Sequence, residues 1–350
     1  MIVEKEILIT EDHHNIRIDR FLSENYKHIS RSQWQERIEM GNVLVNGKKT
    51  RCSYLLKMND KITFFYSKKS EPNINKEFKI IYEDEDLIVI DKPPNLPVHP
   101  SGNYKQNTLY SLLKEKYNYE YCHPIHRLDR ETSGLIIFGK NPFIIRNMAR
   151  MFLNNEISKI YYTIVFGEFQ HSSLLEGYIG KSLNSKVIKR QMFIEKNQLN
   201  NFIKNYQNDY KENCDYFNIY YKDNIYTYRY SKTKFFPEKI TDVDHPFYKK
   251  ITLIKVQLYT GRTHQIRATL KDSGFPIVGD KIYGPDENYF IKFLEENLSE
   301  KDYKDLLLNR TALHCYQLSF LHPKNQQILT IQSPLPEDLI HLLKYTTTPA

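Results

Sequence analysis

The chain has 350 residues, which is enough for a catalytic domain and a small appended domain. Its net charge of +8 favours a polyanionic partner, although a basic protein without such a partner would carry the same charge. No run of eighteen apolar residues occurs, which argues against a membrane-spanning helix.

Residues 15–66 are predicted to form a small α/β module. The apolar positions within residues 18–22 recur at helical spacing. Ser30, with Gln33 three positions later, has the form of a capping box that begins a second helix. The pair Asn46-Gly47 follows a short apolar run and is typical of a hairpin turn. The first predicted domain therefore consists of two helices and a small set of strands.

A larger domain is predicted for residues 78–346, after a polar, Pro-containing linker at residues 67–77. Its strands are predicted at 78–82, 87–90, 135–138, 161–166, 251–258, 313–320 and 327–332, and its helices at 109–116, 142–153, 262–270 and 337–343. A Rossmann fold is disfavoured, because strands and helices do not alternate regularly and G-x-G-x-x-G does not occur. The expected fold class is α+β, with a mixed or antiparallel sheet and helices packed on its outside.

Residues 191–249 differ in composition from the rest of this domain. They are rich in Asn, Tyr and Lys and show little periodicity. We interpret them as an insertion, which could form an extra hairpin or a lid, or else a partly disordered loop.

The most informative segment is 126–135, with the sequence HRLDRETSGL. Asp129 stands between Arg127 and Arg130, and nearby positive charge keeps an acid ionised. Arginine also binds phosphate with a planar fork of donors. The segment therefore suggests an ionised carboxylate that acts on a nucleic acid, whereas a lone aspartate would more often be a helix cap or a surface ion-pair partner.

Two later segments contain polar residues in similarly specific patterns. Residues 159–167 read KIYYTIVFG and residues 260–267 read TGRTHQIR. A lone tyrosine would be a core residue by default in a chain with 27 tyrosines. The histidine within the second segment could suggest acid–base catalysis, but we interpret it as structural.

Together these three segments resemble the signatures of the RluA-type pseudouridine synthases. The resemblance implies that Asp129 is the nucleophile or stabiliser at the glycosidic bond. It also implies that Tyr161 stacks on the target base and relays the carbon 5 proton, and that Arg262 pairs with Asp129 to keep it ionised. These three residues are the predicted catalytic set.

The same resemblance places further residues around the substrate. Arg127 would either fill the space left by a flipped uridine or only clamp a phosphate, Arg267 would contact backbone phosphate, and Leu313 would form a pocket wall. The predicted substrate-binding residues are Arg127, Arg130, Lys159, Arg267 and Leu313.

The first domain resembles the S-four (αL) RNA-binding module, in which two helices present basic side chains to RNA. The matching letters lie in residues 18–22, 30–33 and 41–47. The predicted RNA contacts are Arg20, Arg31, Arg37, Lys48 and Lys49, although an ordinary solvated helical face would look similar.

The sequence thus predicts an RNA pseudouridine synthase, with large-subunit ribosomal RNA as the expected substrate. A transfer RNA enzyme and a catalytically inactive RNA-binding ribosome-assembly factor are the alternatives. No cofactor is expected, because the isomerisation neither oxidises the substrate nor adds a group. No metal is expected either, since the histidines lack metal-site spacing and the four cysteines form no C-x-x-C pair. We further expect a cytoplasmic monomer that binds neither DNA nor a membrane.

Overall fold

The computed structural model describes residues 2–26, 29–67, 71–117 and 122–344. The chain divides into two compact units, Met1–Glu71 and Pro72–Ala350. Residues 68–70 of the predicted linker and residues 118–121, 345 and 346 of the predicted catalytic domain lie outside the described residues.

The first unit contains two helices and an antiparallel sheet of four strands in the order β1-β4-β2-β3. Its elements are β1 (Ile2–Leu8), α1 (Ile18–Asn25), α2 (Arg31–Glu39), β2 (Val43–Val45), β3 (Lys48–Lys49) and β4 (Lys61–Ser67). The unit begins before the predicted boundary at residue 15, because β1 pairs with β4 along its whole length. Sequence analysis missed this strand.

Local signals in the sequence set the start and the end of α2. The Ser30 hydroxyl accepts a hydrogen bond from the Gln33 backbone N–H, and the Gln33 side chain accepts one from the Ser30 N–H. This is the predicted capping box, which satisfies two donors that the helix start would leave unpaired. After the helix, Gly41 takes a φ of +79°, a conformation that favours glycine. Trp34 and Ile38 of this helix are buried against β4 and α1 in the core of the unit.

The second unit is built on one large mixed sheet. Its strands are β5 (Lys79–Glu83), β6 (Leu87–Lys92), β7 (His123–Pro124), β8 (Ser133–Gly139), β9 (Ser158–Phe166), β10 (Ser173–Lys181), β11 (Gln191–Glu195), β12 (Gln207–Asn208), β13 (Tyr216–Tyr221), β14 (Asn224–Asp242), β15 (Lys250–Leu258), β16 (Leu313–Leu321) and β17 (Ile328–Gln332). The main order is β11-β10-β14-β15-β9-β16-β8-β6-β5. Neighbouring strands run antiparallel except β8 and β16, which are parallel. The predicted α+β class with a mixed sheet is confirmed.

The helices of the second unit are α3 (Leu109–Tyr117), α4 (Pro142–Leu153), α5 (Leu199–Ile203), α6 (Gln265–Asp272), α7 (Asn288–Leu294), α8 (Glu300–Leu306) and α9 (Glu337–Leu342). α4 spans the predicted residues, because Asn141 caps it and Pro142 occupies its first turn. α6 begins later than predicted, because His264 takes a left-handed φ of +56° and interrupts helical geometry just before Gln265. Among the described residues, no helix combines the length and the apolar character that crossing a bilayer requires.

The core of the second unit surrounds the two strands that lead to the site. Residues 87–90 of β6 and 135–138 of β8 are completely buried. Continuous apolar runs of this kind are typical of strands covered on both faces, and α4 packs against β8. The loop that precedes β8 is therefore attached to a fully buried part of the sheet.

Residues 191–249 form ordered structure that includes a hairpin of β13 and β14, one of the forms considered for this segment. A separate apolar cluster stabilises it, with Phe217, Ile219 and Tyr228 buried at its centre. Phe217 and Tyr228 stack with ring centroids 5.3 Å apart. The aromatic residues that seemed aperiodic in sequence are thus paired across strands.

Candidate active site

Asp129 lies in the loop between β7 and β8, at the edge of the buried sheet. Its carboxylate Oδ2 is 2.8 Å from Nη1 of Arg267, and its side chain is 28% exposed. Burial acts to raise the pKa of Asp129, but His264 and Arg267 outweigh burial and lower the pKa to about 2. The carboxylate is therefore ionised at neutral pH and reachable from solvent.

Arg267 belongs to α6 and bridges two carboxylates. Its Nε and Nη2 donate to Asp280 at 2.6 and 2.8 Å, while its Nη1 donates to Asp129. Asp280 is fully buried and also accepts the backbone N–H groups of Ile282 and Tyr283. A guanidinium held on one side by a fixed carboxylate presents its remaining donor to Asp129 in a set direction.

The predicted pairing of Arg262 with Asp129 is wrong, because the paired arginine is Arg267. Arg262 precedes α6 and its Nε donates to the Tyr230 carbonyl at 2.9 Å. Its backbone N–H donates to the Gln265 side chain, which fixes the turn before the helix. The expected phosphate contact of Arg267 is therefore replaced by an internal ion pair, while Arg262 remains at the cavity wall.

His264 lies between the ion pair and the protein interior. Its Nε2 is 3.7 Å from Asp129 Oδ1, and its Nδ1 is 2.9 Å from the Tyr283 hydroxyl. That hydroxyl accepts the Gln191 N–H, which leaves its own proton for Nδ1. Burial and the nearby Arg267 lower the pKa of His264 to about 4, so the imidazole is neutral at neutral pH. The permanent cation in direct contact with Asp129 is Arg267, at 2.8 Å.

Tyr161 projects from the middle of β9 and is only 8% exposed. Burial, and then the neighbouring Cys315, raise the pKa of Tyr161 well above 10, so its phenol carries its proton at neutral pH. Lys159, two residues earlier on the strand, donates to the Ile157 carbonyl at 3.1 Å. Burial lowers the pKa of Lys159.

A cavity of about 490 Å³ brings most of the predicted site residues together. Its lining includes Arg127, Asp129, Lys159, Tyr161, Arg262, Arg267 and Leu313. This volume falls in the range of small-molecule sites. Arg130 does not line this cavity. Its guanidinium donates to the Tyr104 hydroxyl at 2.6 Å and pairs with Glu131 at 3.0 Å.

The chain is similar to proteins of known families. Residues 86–272, more than half of the chain, match the family described as RNA pseudouridylate synthase, and residues 16–62 match the S4 domain. A Synechocystis protein named as an uncharacterized RNA pseudouridine synthase is 32% identical over 91% of this chain and 94% of its own length.

The chain belongs to the RNA pseudouridylate synthase family.

The predicted enzyme class, RNA pseudouridine synthase, is thereby confirmed, as are the RluA-type resemblance and the S-four module. The ribosomal large subunit pseudouridine synthase D of Buchnera aphidicola is 28% identical over 94% of this chain and 93% of its own length. The structure called human RNA pseudouridylate synthase domain containing 1 aligns with a TM-score of 0.52 and 19% identity, covering 80% of this chain and all of the human chain. That structural likeness bears on the fold alone.

Sequence analysis of this pseudouridine synthase missed the residues that hold the Asp129 loop in place. Lys92, fully buried at the end of β6, donates through its ammonium to the carbonyls of Pro93, Leu96 and Arg130. Burial lowers the pKa of Lys92 to about 7. The available signal was a lysine directly after an apolar strand, within Lys92-Pro93-Pro94.

Gly134 and Asp280 were also not assigned to the synthase site. Gly134 has a φ of +105°, and a Cβ there would collide with the backbone of Cys315 on the adjacent strand. Only glycine allows β8 and β16 to approach so closely beside the Asp129 loop. Asp280 follows Gly279 in a segment that lies outside the three motif segments of the sequence.

One group of potential metal ligands occurs among the described residues, at Asp84, Asp86 and His322. Protein donors already occupy these carboxylates: the Tyr82 hydroxyl donates to Asp84 at 2.6 Å, and the Asn141 amide donates to Asp86 at 2.9 Å. The group does not line the catalytic cavity. We interpret it as a polar cluster that fixes the turn between β5 and β6.

In the S4 domain, two of the predicted RNA contacts are engaged with acids. Arg20 pairs with Glu24 at 2.7 Å on the surface of α1. Arg31 pairs at 3.0 Å with Asp19, whose side chain is fully buried. Arg31 therefore neutralises a buried carboxylate, and only the remainder of its donors is available to RNA.

The other three predicted contacts lie elsewhere on the same domain. Arg37 lies 5.7 Å from the centroid of the Trp34 ring, and Lys48 and Lys49 are exposed on β3. Their roles in RNA binding remain predictions.

Proposed function

We propose that this enzyme converts specific uridines to pseudouridine in structured large-subunit ribosomal RNA. The observation that carries the proposal is an ionised Asp129, paired with Arg267, in a cavity that Tyr161 also lines. A carboxylate, a guanidinium and a phenol are the three side-chain groups that breaking and re-forming a glycosidic bond would use. The proposal for the RNA class is supported by the S4 domain and by the Buchnera relative with a large-subunit name.

The reaction detaches the uracil from its sugar at N1, turns it, and reattaches it at carbon 5. The proton on carbon 5 then leaves and N1 gains one, so atoms and electrons balance without an external reactant. Asp129 would act at the glycosidic carbon, either as a nucleophile or by stabilising positive charge on the sugar. Arg267 keeps the carboxylate ionised and directs it. Both routes require the same geometry.

Tyr161 would stack on the flipped base and relay the carbon 5 proton. Because burial raises the pKa of Tyr161 well above 10, the phenol is protonated before it meets the base. The Tyr161 phenol can accept the carbon 5 proton only if it donates its own proton at the same time. It would therefore transfer a proton without storing one. The ring itself offers the aromatic face on which a flipped pyrimidine stacks.

The remaining cavity residues would hold the target nucleotide and its neighbours. Arg127 is exposed at the rim and would fill the vacated stack or clamp a phosphate. Arg262, which does not pair with Asp129, would contact the RNA backbone from the wall of the cavity. Lys159 would contact the base or the sugar through its ammonium, and Leu313 would do so through its apolar side chain.

Tritium release from RNA transcribed with uridine labelled at carbon 5 tests the proposal. We expect release from unmodified large-subunit ribosomal RNA and much less from transfer RNA. Release from transfer RNA alone would support the transfer RNA alternative. Binding without any release would support an inactive RNA-binding assembly factor. Mapping of isomerised uridines in a strain lacking the gene would then identify the positions.

The N-terminal contacts would bind RNA phosphates. RNA affinity should therefore fall steeply with salt. The cytoplasmic location and the monomeric state expected from the sequence remain predictions.

A further inference from the structure

A second cavity, of about 660 Å³, adjoins the catalytic one. Both cavities are lined by Arg127, Asp129 and Arg267, so the carboxylate stands at their common wall. The proposed reaction uses only the first cavity, which a single flipped uridine would occupy. The second cavity therefore needs an occupant of its own, directly continuous with the target nucleotide.

Aromatic rings and cations line the second cavity. The Lys189 ammonium lies 4.4 Å from the centroid of Phe290, and the Arg130 guanidinium lies 5.0 Å from the centroid of Phe293. The Tyr104 hydroxyl also accepts a hydrogen bond from Arg130, at 2.6 Å. Rings beside cations offer both a stacking surface for a base and a charge for a phosphate.

The cations of this cavity are not all neutralised. Arg130 and Lys281 share one carboxylate, that of Glu131, at 3.0 and 3.1 Å. Within the described part of the chain, no carboxylate lies at ion-pair distance from Lys189. Burial, with Arg267 and Arg130 nearby, lowers the pKa of Lys189, as expected in a site with excess positive charge. The cavity is suited to an anion.

The loop that carries Lys189, residues 182–190, is fixed on both sides of it. Val187 is buried in an apolar cluster with Tyr283 and Phe290. Glu287 accepts hydrogen bonds from the Ser185 hydroxyl at 2.6 Å and from Arg190 at 2.9 Å. Lys189 is therefore held at the cavity rim before any ligand arrives, which lowers the entropic cost of binding.

We infer that the second cavity binds the nucleotide next to the target uridine, with its base against the partly buried Phe293 and its phosphate on Lys189. This inference rests on the proposed function, because a target uridine in the first cavity fixes where its neighbour must go. An RNA strand leaving the first cavity passes Arg127 and reaches the second. The cavity thereby becomes a determinant of which uridine is modified.

Two lysines of the same loop provide a matched test. Lys189→Met removes a charge from the cavity, whereas Lys186→Met removes one from an exposed position that lines neither cavity. With tritiated large-subunit ribosomal RNA as the probe, we expect Lys189→Met to raise KM about tenfold and to reduce the slope of log KM against log salt by about 1, with kcat nearly unchanged. Lys186→Met should leave all three quantities near those of the unaltered enzyme.

Two further variants separate charge from packing. Lys189→Arg should restore most of the affinity, because a guanidinium also binds phosphate. Phe293→Leu should raise KM several-fold through lost stacking, while leucine keeps an apolar side chain against the cluster. Lys189→Met and Lys186→Met should unfold at the same temperature, because neither lysine belongs to the apolar cluster beneath the loop.

The inference is overturned if the two methionine variants behave alike, or if Lys189→Met lowers kcat and leaves KM and the salt slope unchanged. Either result would arise while the unaltered enzyme still releases tritium. Absence of release by the unaltered enzyme from any RNA would instead overturn the proposed function, and the inference with it.

Discussion

Replacing Asp129 by Asn should abolish turnover while leaving the protein folded and able to bind RNA. The substitution removes the charge but keeps an oxygen that can accept the hydrogen bond from Arg267. Arg267 also keeps its two bonds to Asp280, so no buried cation is left without a partner. The chemistry and the fold are therefore separable at this position.

The stability cost can be worked out from the carboxyl group. The pKa of Asp129 falls from 3.8 to about 2 on folding, which corresponds to at most about 2 kcal/mol of stabilisation at neutral pH, where His264 is uncharged and Arg267 keeps its charge. Because the folded-state pKa is depressed, this contribution is fully present above pH 3.8 and is lost as pH falls through about 2. Asp129→Asn should thus lower Tm by about 5 °C or less. Its RNA affinity should stay within about threefold, since the lost charge is one that repels phosphate.

Three measurements on one preparation test this reasoning. Tritium release should fall by more than about 10⁴-fold, while filter binding of the RNA and thermal unfolding should change little. Asp280→Asn is the control, because it alters the other carboxylate on Arg267. It should cost about 3–5 kcal/mol, since it disturbs a buried pair, yet retain more turnover than Asp129→Asn. Turnover near that of the unaltered enzyme in Asp129→Asn, or a large loss of RNA affinity, would refute the assignment.

Three other predictions follow from the same site. Tyr161→Phe keeps the ring and removes the hydroxyl, so RNA affinity should hold while tritium release falls by about 10²- to 10⁴-fold; an unchanged rate would show that the hydroxyl relays no proton. Arg267→Lys should lower the free energy of unfolding in urea by about 3 kcal/mol, because one ammonium cannot bridge two carboxylates. Arg262→Lys should leave the free energy of unfolding unchanged. Equal losses in the two variants would contradict the pairing of Arg267 with Asp129. Because the pKa of Asp129 is about 2 and that of His264 about 4, the rate should show no inflection from either group between about pH 5.5 and 8. An inflection near about pH 6 that disappears in His264→Asn would show that the imidazole titrates in the working enzyme.

Local signals in the sequence were sufficient for much of the fold. The helix at residues 142–153 was predicted at its observed bounds, because an Asn cap and a Pro in the first turn are local features. The capping box at Ser30 is local in the same sense. The strand at residues 2–8 was missed, since it is recognisable only from its pairing with the distant strand β4.

For the site, the sequence indicated which segments meet but not which atoms. Arg262 and Arg267 lie five residues apart in one motif. Both are arginines, so the sequence does not show which of them pairs with Asp129. The left-handed turn at His264 separates the two arginines. Arg262 lies in the loop before the turn and binds the Tyr230 carbonyl, whereas Arg267 lies in the helix after it. The partner that fixes Arg267, Asp280, lies on a separate segment. Such choices depend on three-dimensional geometry that no spacing rule contains.

The buried ammonium of Lys92 shows how a residue can govern an active site without touching anything that reacts. It ties three carbonyls together beneath the loop of the essential acid, and an apolar replacement would leave all three without a donor. Natural selection would then retain this lysine as strictly as the acid above it. Invariance of Lys92 across related enzymes would then reflect its structural role in holding the loop. A survey that equated invariance with catalysis would wrongly class Lys92 as a catalytic residue.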